Sequence, residues 1–304
     1  MSYSGGMDIR AITPDEYSTA AALLFAGQPE QERGQRTAAL LQLVDDGVCT
    51  PTGWYVAVEG ERITGTLLTQ LLPTGSAIYT LPKGDPKSFA ALVQSGLQQL
   101  RMNNFQQATF FLDTTDDDEE ALALLEANGF RFVTHLQSLQ LLVEANGEPD
   151  VGSLSLERFR EGDEQLFGET IIATYEDSLD APEAQFERTA IDTVAAYRQG
   201  DTTLPNWWLA RDSDGVPVGV VLLAPVVGLG VELAYLGLVS KMRGCGLGSG
   251  LLNTAFWQAG RLDAKVLTVT VDERNTPAMK IYQRKGFTLY QSQRLYLWKS
   301  TWST

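Results

Sequence analysis

The sequence is poor in the side chains that most often hold metals or build hydrolytic triads: its 304 residues include two cysteines and one histidine. Cys49 and Cys245 cannot form a disulfide framework, and with His135 they cannot complete a Cys/His zinc cluster. A reducing, cytoplasmic setting is expected. A Ser-His-Asp or Cys-His centre would depend wholly on His135, and a two-histidine metal motif is excluded. Basic residues are scarce, with 23 Lys and Arg against 38 Asp and Glu and a net charge of −15, which argues against nucleic-acid binding through clustered phosphate contacts. Long uninterrupted apolar runs are also missing. The best candidate, Val216–Val239, is broken by Pro217, Pro225, four glycines and Glu232, so two buried strands and a connection are expected there, with no membrane span. The early stretch Ala20–Ala26 is too short for the core of an export signal.

What remains is an ordinary globular composition, 44% hydrophobic and 20% charged, in a chain long enough for two domains. The charge is uneven. Residues 1–150 hold 8 basic and 20 acidic side chains, whereas residues 241–304 hold 10 basic and 3 acidic ones, a cationic island suited to a small phosphorylated ligand. An internal repeat sets the architecture. Trp54-Tyr55-Val56-Ala57, a Glu59-Gly60-Glu61 turn and Ile63-Thr64-Gly65 parallel Trp207-Trp208-Leu209-Ala210, an Asp212-Ser213-Asp214-Gly215 turn and Pro217-Val218-Gly219. Both read as β-hairpins. Further on, the strand Ala108–Leu112, the helix Glu119–Ala127 and the cap Gly129-Phe130 parallel the strand Val266–Val271, the helix Pro277–Arg284 and the cap Gly286-Phe287, before closing strands over Leu289–Trp298. The polar stretch 146–152 separates the halves as a linker, giving domains over 7–145 and 153–304. Each half alternates strands and helices, so an α/β architecture with a mixed sheet is expected.

The most informative segment is a strand ending near Val239, a loop Arg243-Gly244-Cys245-Gly246-Leu247-Gly248-Ser249-Gly250, and a helix from about Leu251 to Gly260. Glycines let a backbone approach a ligand closely, and a helix N-terminus presents free N–H groups, so the loop suits a pyrophosphate. It lacks the lysine of a nucleotide triphosphatase phosphate loop, and Ser249 stands where a dinucleotide fingerprint needs its third glycine. The spacing Arg243, Gly246, Gly248 resembles the coenzyme A loop of the GNAT superfamily of N-acetyltransferases. Asn275, Ala278, Tyr282 and Gly286-Phe287 resemble that family's second cofactor segment, one strand and one helix downstream. Glu232 lies eleven residues before Arg243, where several members carry a general base. The first half resembles the same fold without its loop: Leu81-Pro82-Lys83-Gly84-Asp85-Pro86-Lys87 has one glycine and two prolines, and Leu125 stands near the place of Tyr282. The pair therefore resembles tandem members with one degenerate half, mycothiol synthase among them, and nothing in the sequence points to that substrate.

The resemblance implies two tandem acyl-CoA N-acyltransferase folds, with acetyl-CoA bound to the second. Glu232 would be the general base, its pKa raised by burial on a central strand. Tyr282 would protonate the departing thiolate or hold its sulfur by a hydrogen bond. The main chain of Gly237, Leu238 and Val239 would pair with the pantetheine arm. Gly244, Cys245, Gly246, Leu247, Gly248 and Ser249 would cradle the pyrophosphate through N–H groups, Arg243 would add charge, and Asn275 would cap its helix and touch the arm. Lys280, Arg284 and Lys285 suit the 3′-phosphate or a solvated helix face equally. Direct transfer leaves Cys245 without a covalent role, His135 reads as an ordinary strand residue, and Asp116–Glu120 reads as a helix-capping acidic run. The acceptor would be an amine on a small molecule or peptide, with the acidic first half favouring a cationic one; Tyr175 and Trp207-Trp208 line its site or belong to the core. No nucleic-acid or membrane partner is expected, and an oligomer is possible. The competing class is a GNAT-fold module that holds acyl-CoA without turnover.

Overall fold

Alternating apolar residues on either side of the acidic turns fold as two long hairpins, one in each half of the chain. The computed structural model describes residues 7–72, 75–114, 119–144, 147–198, 205–226 and 230–302. Its elements run β1 (Asp8–Ala11), α1 (Tyr17–Leu24), α2 (Glu30–Asp45), β2 (Trp54–Glu59), β3 (Arg62–Leu71), β4 (Ser76–Tyr79), β5 (Lys83–Gly84), α3 (Phe89–Met102), β6 (Gln107–Asp113), α4 (Glu119–Ala127) and β7 (Arg131–Leu142). The repeat continues as β8 (Ser155–Arg158), α5 (Glu164–Ala173), α6 (Ala190–Arg198), β9 (Asn206–Arg211), β10 (Pro217–Val226), β11 (Gly230–Leu238), α7 (Leu247–Arg261), β12 (Val266–Asp272), α8 (Thr276–Lys285) and β13 (Thr288–Lys299).

The chain divides into two compact units, 1–132 with 295–304 and 133–294. The sequence placed the division at 146–152; the structure places it at residue 133 and again at 295. The reason is strand pairing. Most of β7 lies antiparallel along β12, from Leu136↔Asp272 to Leu142↔Val266, and so completes the sheet of the second unit. The end of β13 brings Tyr296 and Trp298 into the core of the first unit, and Ser300 N–H donates to Gln106 O at 3.0 Å. Each unit thus takes its closing strand from the end of the other repeat.

In the first unit the sheet order is β1-β2-β3-β4-β6, with β5 on β3. The apolar stripe of α3 (Phe89, Leu92, Val93, Leu97, Leu100) fills its core against Leu67, Ala77, Tyr79 and Phe110. In the second unit the order is β7-β12-β11-β10-β9-β8, antiparallel except for β11 and β12. One face is covered by α7 through Leu251, Leu252, Ala255, Phe256 and Ala259. The other is covered by α5 and α6, which pack Phe167, Ile171 and Val194 on Trp207, Leu209, Val220 and Leu222. Trp207 is therefore core, and Trp208 packs edge-on against Trp257, with ring centroids 6.0 Å apart. The longest apolar stretch folds as β10 and β11, and among the described residues no helix is long and apolar enough to cross a membrane.

Candidate active site

All the candidate catalytic and cofactor residues lie in the second unit, around the C-terminal end of β11. Along β10, β11 pairs normally until a bulge: Leu222 faces Tyr235 and Leu223 faces Leu233, so Ala234 has no partner. On its other side β11 pairs with β12 only at Val231↔Leu267 and Glu232↔Thr268, after which the two parallel strands separate. From Leu233 onward β11 thus has one edge open within the sheet.

Antiparallel alternation decides which main-chain groups use that edge. Val239 N–H donates to Val218 O at 2.9 Å, so the hydrogen-bonded pairs continue inward as Gly237/Val220 and Tyr235/Leu222. Val239 O also accepts from Met242 N–H. The groups turned to the open edge belong to Leu236 and Leu238, whose carbonyl in Leu238 is taken by Arg243 Nε at 2.9 Å. Of the expected trio Gly237, Leu238 and Val239, only Leu238 directs its N–H outward; Leu236, which the sequence reading missed, is its companion. Gly237 is required for another reason. A Cβ there would lie 2.6 Å from Thr174 Oγ1 and 2.7 Å from the Tyr235 ring.

The glycine loop turns sharply at Gly244 (φ +78°) and Gly246 (φ +82°), conformations that side chains disfavour. The helix begins earlier than its apolar pattern suggested, at Leu247, so Gly248, Ser249 and Gly250 form its first turn. Gly246 is the N-cap, with no side-chain cap and no acidic residue in the first turn, and a Cβ at Gly244 or Gly246 would meet nothing within 4 Å. Ser249 N–H turns back onto Gly246 O at 3.1 Å, which leaves the N–H groups of Leu247 and Gly248 and the helix dipole as the donors of the first turn, a cradle that fits a pyrophosphate. Gly250 serves packing: its Cα faces the main chain of Asp150 and Val151, each 3.0 Å from where a Cβ would stand.

Arg243 directs its guanidinium away from this cradle. Nε donates to Leu238 O at 2.9 Å, one terminal nitrogen to Asp177 O at 2.9 Å and the other to Thr174 O at 2.7 Å. Its N–H groups fasten the segment after α5 to the end of β11, a positioning role in place of the expected phosphate contact. Cys245 is exposed on the loop, with its thiol 3.6 Å from Arg243 O. Lys285 donates to Asn253 Oδ1 at 2.7 Å and sits over the Phe256 ring at 5.0 Å, and Arg284 donates to Lys280 O at 3.1 Å.

Glu232 lies half-buried on β11 on the same face as α5 and α6, opposite Ala224. Burial pushes its carboxyl above the usual range, and among the described residues no hydrogen bond or ion pair holds it. Tyr282 is buried on α8 against Phe287, with centroids 5.4 Å apart. Burial, then the nearby Asp180 charge, pushes its phenol far above its ordinary value, and its hydroxyl has no hydrogen-bond partner among the described residues. Asn275 caps α8, its side chain accepting from Ala278 N–H at 3.3 Å.

The structure adds residues without a sequence signal. Asp272, fully buried at the end of β12, accepts from Thr134 Oγ1 at 2.7 Å, Ala181 N–H at 3.0 Å and the Arg274 guanidinium at 2.7 Å; Arg274 also forks onto Glu183 at 2.8 Å. In return Asp272 N–H donates to Asp180 Oδ1 at 2.9 Å. This network pins the segment 180–183 beside the parted strands. Thr174 Oγ1 gives its proton to Ile171 O at 2.6 Å, leaving Tyr235 as donor in their 2.8 Å contact. His135 is a strand residue, its Nδ1 2.8 Å from Glu273 Oε1. Among the described residues no cluster of three His, Cys, Asp or Glu could hold a metal; Asp116–Asp118 lie outside them, and Glu119 and Glu120 open α4.

Residues 171–287 match the model of the acetyltransferase (GNAT) family. Among solved structures, a GCN5-related N-acetyltransferase from Sphaerobacter thermophilus shares the fold over 96% of this chain and 95% of its own, with a TM-score of 0.68 at 18% identity. A tandem GNAT protein from the clavulanic acid biosynthesis pathway does so over 97% and 98%, with a TM-score of 0.57 at 14% identity. No curated protein matches the chain. At such identities the likeness speaks for the fold: two tandem α/β units of GNAT type.

Proposed function

We propose, from the match of residues 171–287 to the acetyltransferase (GNAT) family model, that this protein transfers an acetyl group from acetyl-CoA to a primary amine, with the second unit as the working one. The observation that carries the reading is the convergence of an uncapped glycine cradle and an open β11 edge, with Tyr282 on the neighbouring helix holding a hydroxyl that is unpaired among the described residues. Acetyl-CoA, when bound, supplies an acetyl group activated as a thioester. The N–H groups of Gly244–Gly248 would hold its pyrophosphate, and those of Leu236 and Leu238 its pantetheine arm.

Glu232 receives the proton that the acceptor ammonium must lose, directly or through water. Its elevated pKa moves it toward the working pH, as a general base requires. Tyr282 would stand beside the leaving sulfur. Its phenol titrates far above a free thiol, so full proton transfer to a thiolate would be uphill, and its contribution is a hydrogen bond to developing negative charge. Asn275 keeps α8 in register beneath it.

Calorimetric titration with acetyl-CoA tests the reading, run beside Gly246→Trp, which places a side chain in the cradle at a positive φ. One micromolar site per chain, lost in the variant, is expected, followed by coenzyme A release with amines. Binding without turnover of any amine would leave only the non-catalytic acyl-CoA module. Absence of binding would remove the cofactor site altogether.

A further inference from the structure

Beside the bulge of β11 the second unit has an open-mouthed cavity of about 230 Å³, walled by Ala234 and Tyr235 on the strand and by the segment 175–197 opposite. Pockets for drug-sized ligands measure roughly 300–1,000 Å³, so this smaller space suits a small molecule. Two side chains of opposite charge line it. Asp180 stands at the end nearer the proposed reaction site: its charge is felt by Tyr282 and Tyr235, and its carboxylate is anchored by the Asp272 N–H. Arg188 stands with Tyr175 and Tyr197, whose hydroxyls meet at 3.2 Å, and lies 3.9 Å over the ring of Phe186.

We propose that this cavity is the acceptor site and that it selects small zwitterionic amines, holding the amino group at Asp180 among the tyrosine rings and the acidic group at Arg188. The inference rests on the acetyltransferase reading above and deepens it. Tyr175 and Tyr197 flank Tyr235, at centroid distances of 5.8 and 5.4 Å, so an ammonium entering here meets π faces as well as a carboxylate. Burial raises the Asp180 carboxyl although the Asp272 N–H, Asn275 and Arg274 act against it, and lowers the Arg188 guanidinium although Asp192 acts against it, so a further ion of opposite sign alongside either one adds to groups already in place. A simple alkylamine satisfies Asp180 alone. A polyamine sets its second cation against Arg188, which turns the choice away from the cationic acceptors that the acidic first half suggested.

Direct titration of the coenzyme A-loaded full-length protein separates this proposal from the reaction itself. The probes are the series glycine to 5-aminopentanoate, each compared with the alkylamine and the alkanoate of equal chain length. The best zwitterion is expected to bind at least about tenfold tighter than either counterpart. Arg188→Met is expected to collapse that ratio to near one, Arg188→Lys to restore part of it, and Asp180→Asn to weaken zwitterion and alkylamine alike. No preference for any zwitterion in the wild-type protein, or a preference that survives Arg188→Met, overturns the proposal whether or not the variants fold well. A zwitterion that binds with the expected preference but is never acetylated upholds the site and overturns the transferase reading instead.

Discussion

Glu232→Gln separates catalysis from architecture more cleanly than any other change in the second unit. The substitution keeps shape and removes one charge, and no hydrogen bond or ion pair among the described residues depends on that charge. General-base removal costs about 10²–10⁴ in rate, or about 2.7–5.4 kcal/mol of transition-state stabilisation. Stability should move the other way. A carboxyl whose folded pKa lies above its unfolded value costs nothing below the unfolded pKa, and its penalty grows as pH rises through the folded one, by about 1.4 kcal/mol per unit of elevation. The variant should therefore match the wild type in acid and become the more stable protein toward neutral pH. Wild-type turnover should decline as pH falls through the raised pKa, and the Gln variant should lack that limb. The assays are coenzyme A release with a turned-over amine between pH 5 and 9, urea denaturation across the same range, and acetyl-CoA titration, which should be unchanged. Activity within about threefold of wild type, or a loss of more than about 1 kcal/mol of stability at pH 7, would refute the reasoning.

Tyr282→Phe should lower kcat by about tenfold or more while leaving stability within about 1 kcal/mol, because the hydroxyl it removes has no partner among the described residues; thermal melts and initial rates decide it, and a large stability loss would mean the phenol is structural. Arg243→Met should destabilise the chain by about 2–4 kcal/mol, since it frees three carbonyls from a charged donor, and should weaken acetyl-CoA through loop disorder. Arg243→Lys should rescue little, because an ammonium cannot span the same fork; full rescue by lysine, in melting and in titration, would point to a phosphate contact after all.

What was legible in the sequence was backbone chemistry. Gly246, Gly286 and Gly129 each mark a left-handed position that few other residues tolerate, so the loop and both helix caps could be placed from residue type alone. The repeated hairpins were legible because Trp54 and Trp207 anchor equivalent buried positions. Strand partners were not. Nothing local in Arg131–Leu142 says that it pairs with β12, since an alternating strand serves any sheet that offers an edge. The start of α7 was set about four residues late because Gly248 and Gly250 look like loop, yet both are helical, Gly250 for close approach to Val151. The acceptor cavity was illegible for a different reason: Tyr175, Asp180, Arg188 and Tyr197 follow no period and come together only when Asp272 and Arg274 fasten the segment between them.

The two units show why one scaffold should carry a cofactor site and its relative should not. In the first unit the turn before α3 is filled by the chain's own anion: Asp85 accepts from Lys87 N–H at 3.0 Å, and Ser88 Oγ donates to Asp85 O at 2.7 Å. β4 pairs with β6 along its whole length, Ser76 to Tyr79, so no edge opens as it does between β11 and β12. Leu125, fully buried, stands near the place of the Tyr282 hydroxyl. Each change closes with protein atoms what the second unit leaves open, and the closed edge is the decisive one, because a pantetheine arm needs main-chain groups that β4 has already given to β6. Asp85→Gly should therefore uncap the 3₁₀ turn Pro86–Ser88 that leads into α3, cost about 1 kcal/mol, and still leave the calorimetric stoichiometry at one acetyl-CoA per chain. A second site of similar affinity in that variant would show that the loop alone makes the site and that the parting of β11 from β12 is incidental.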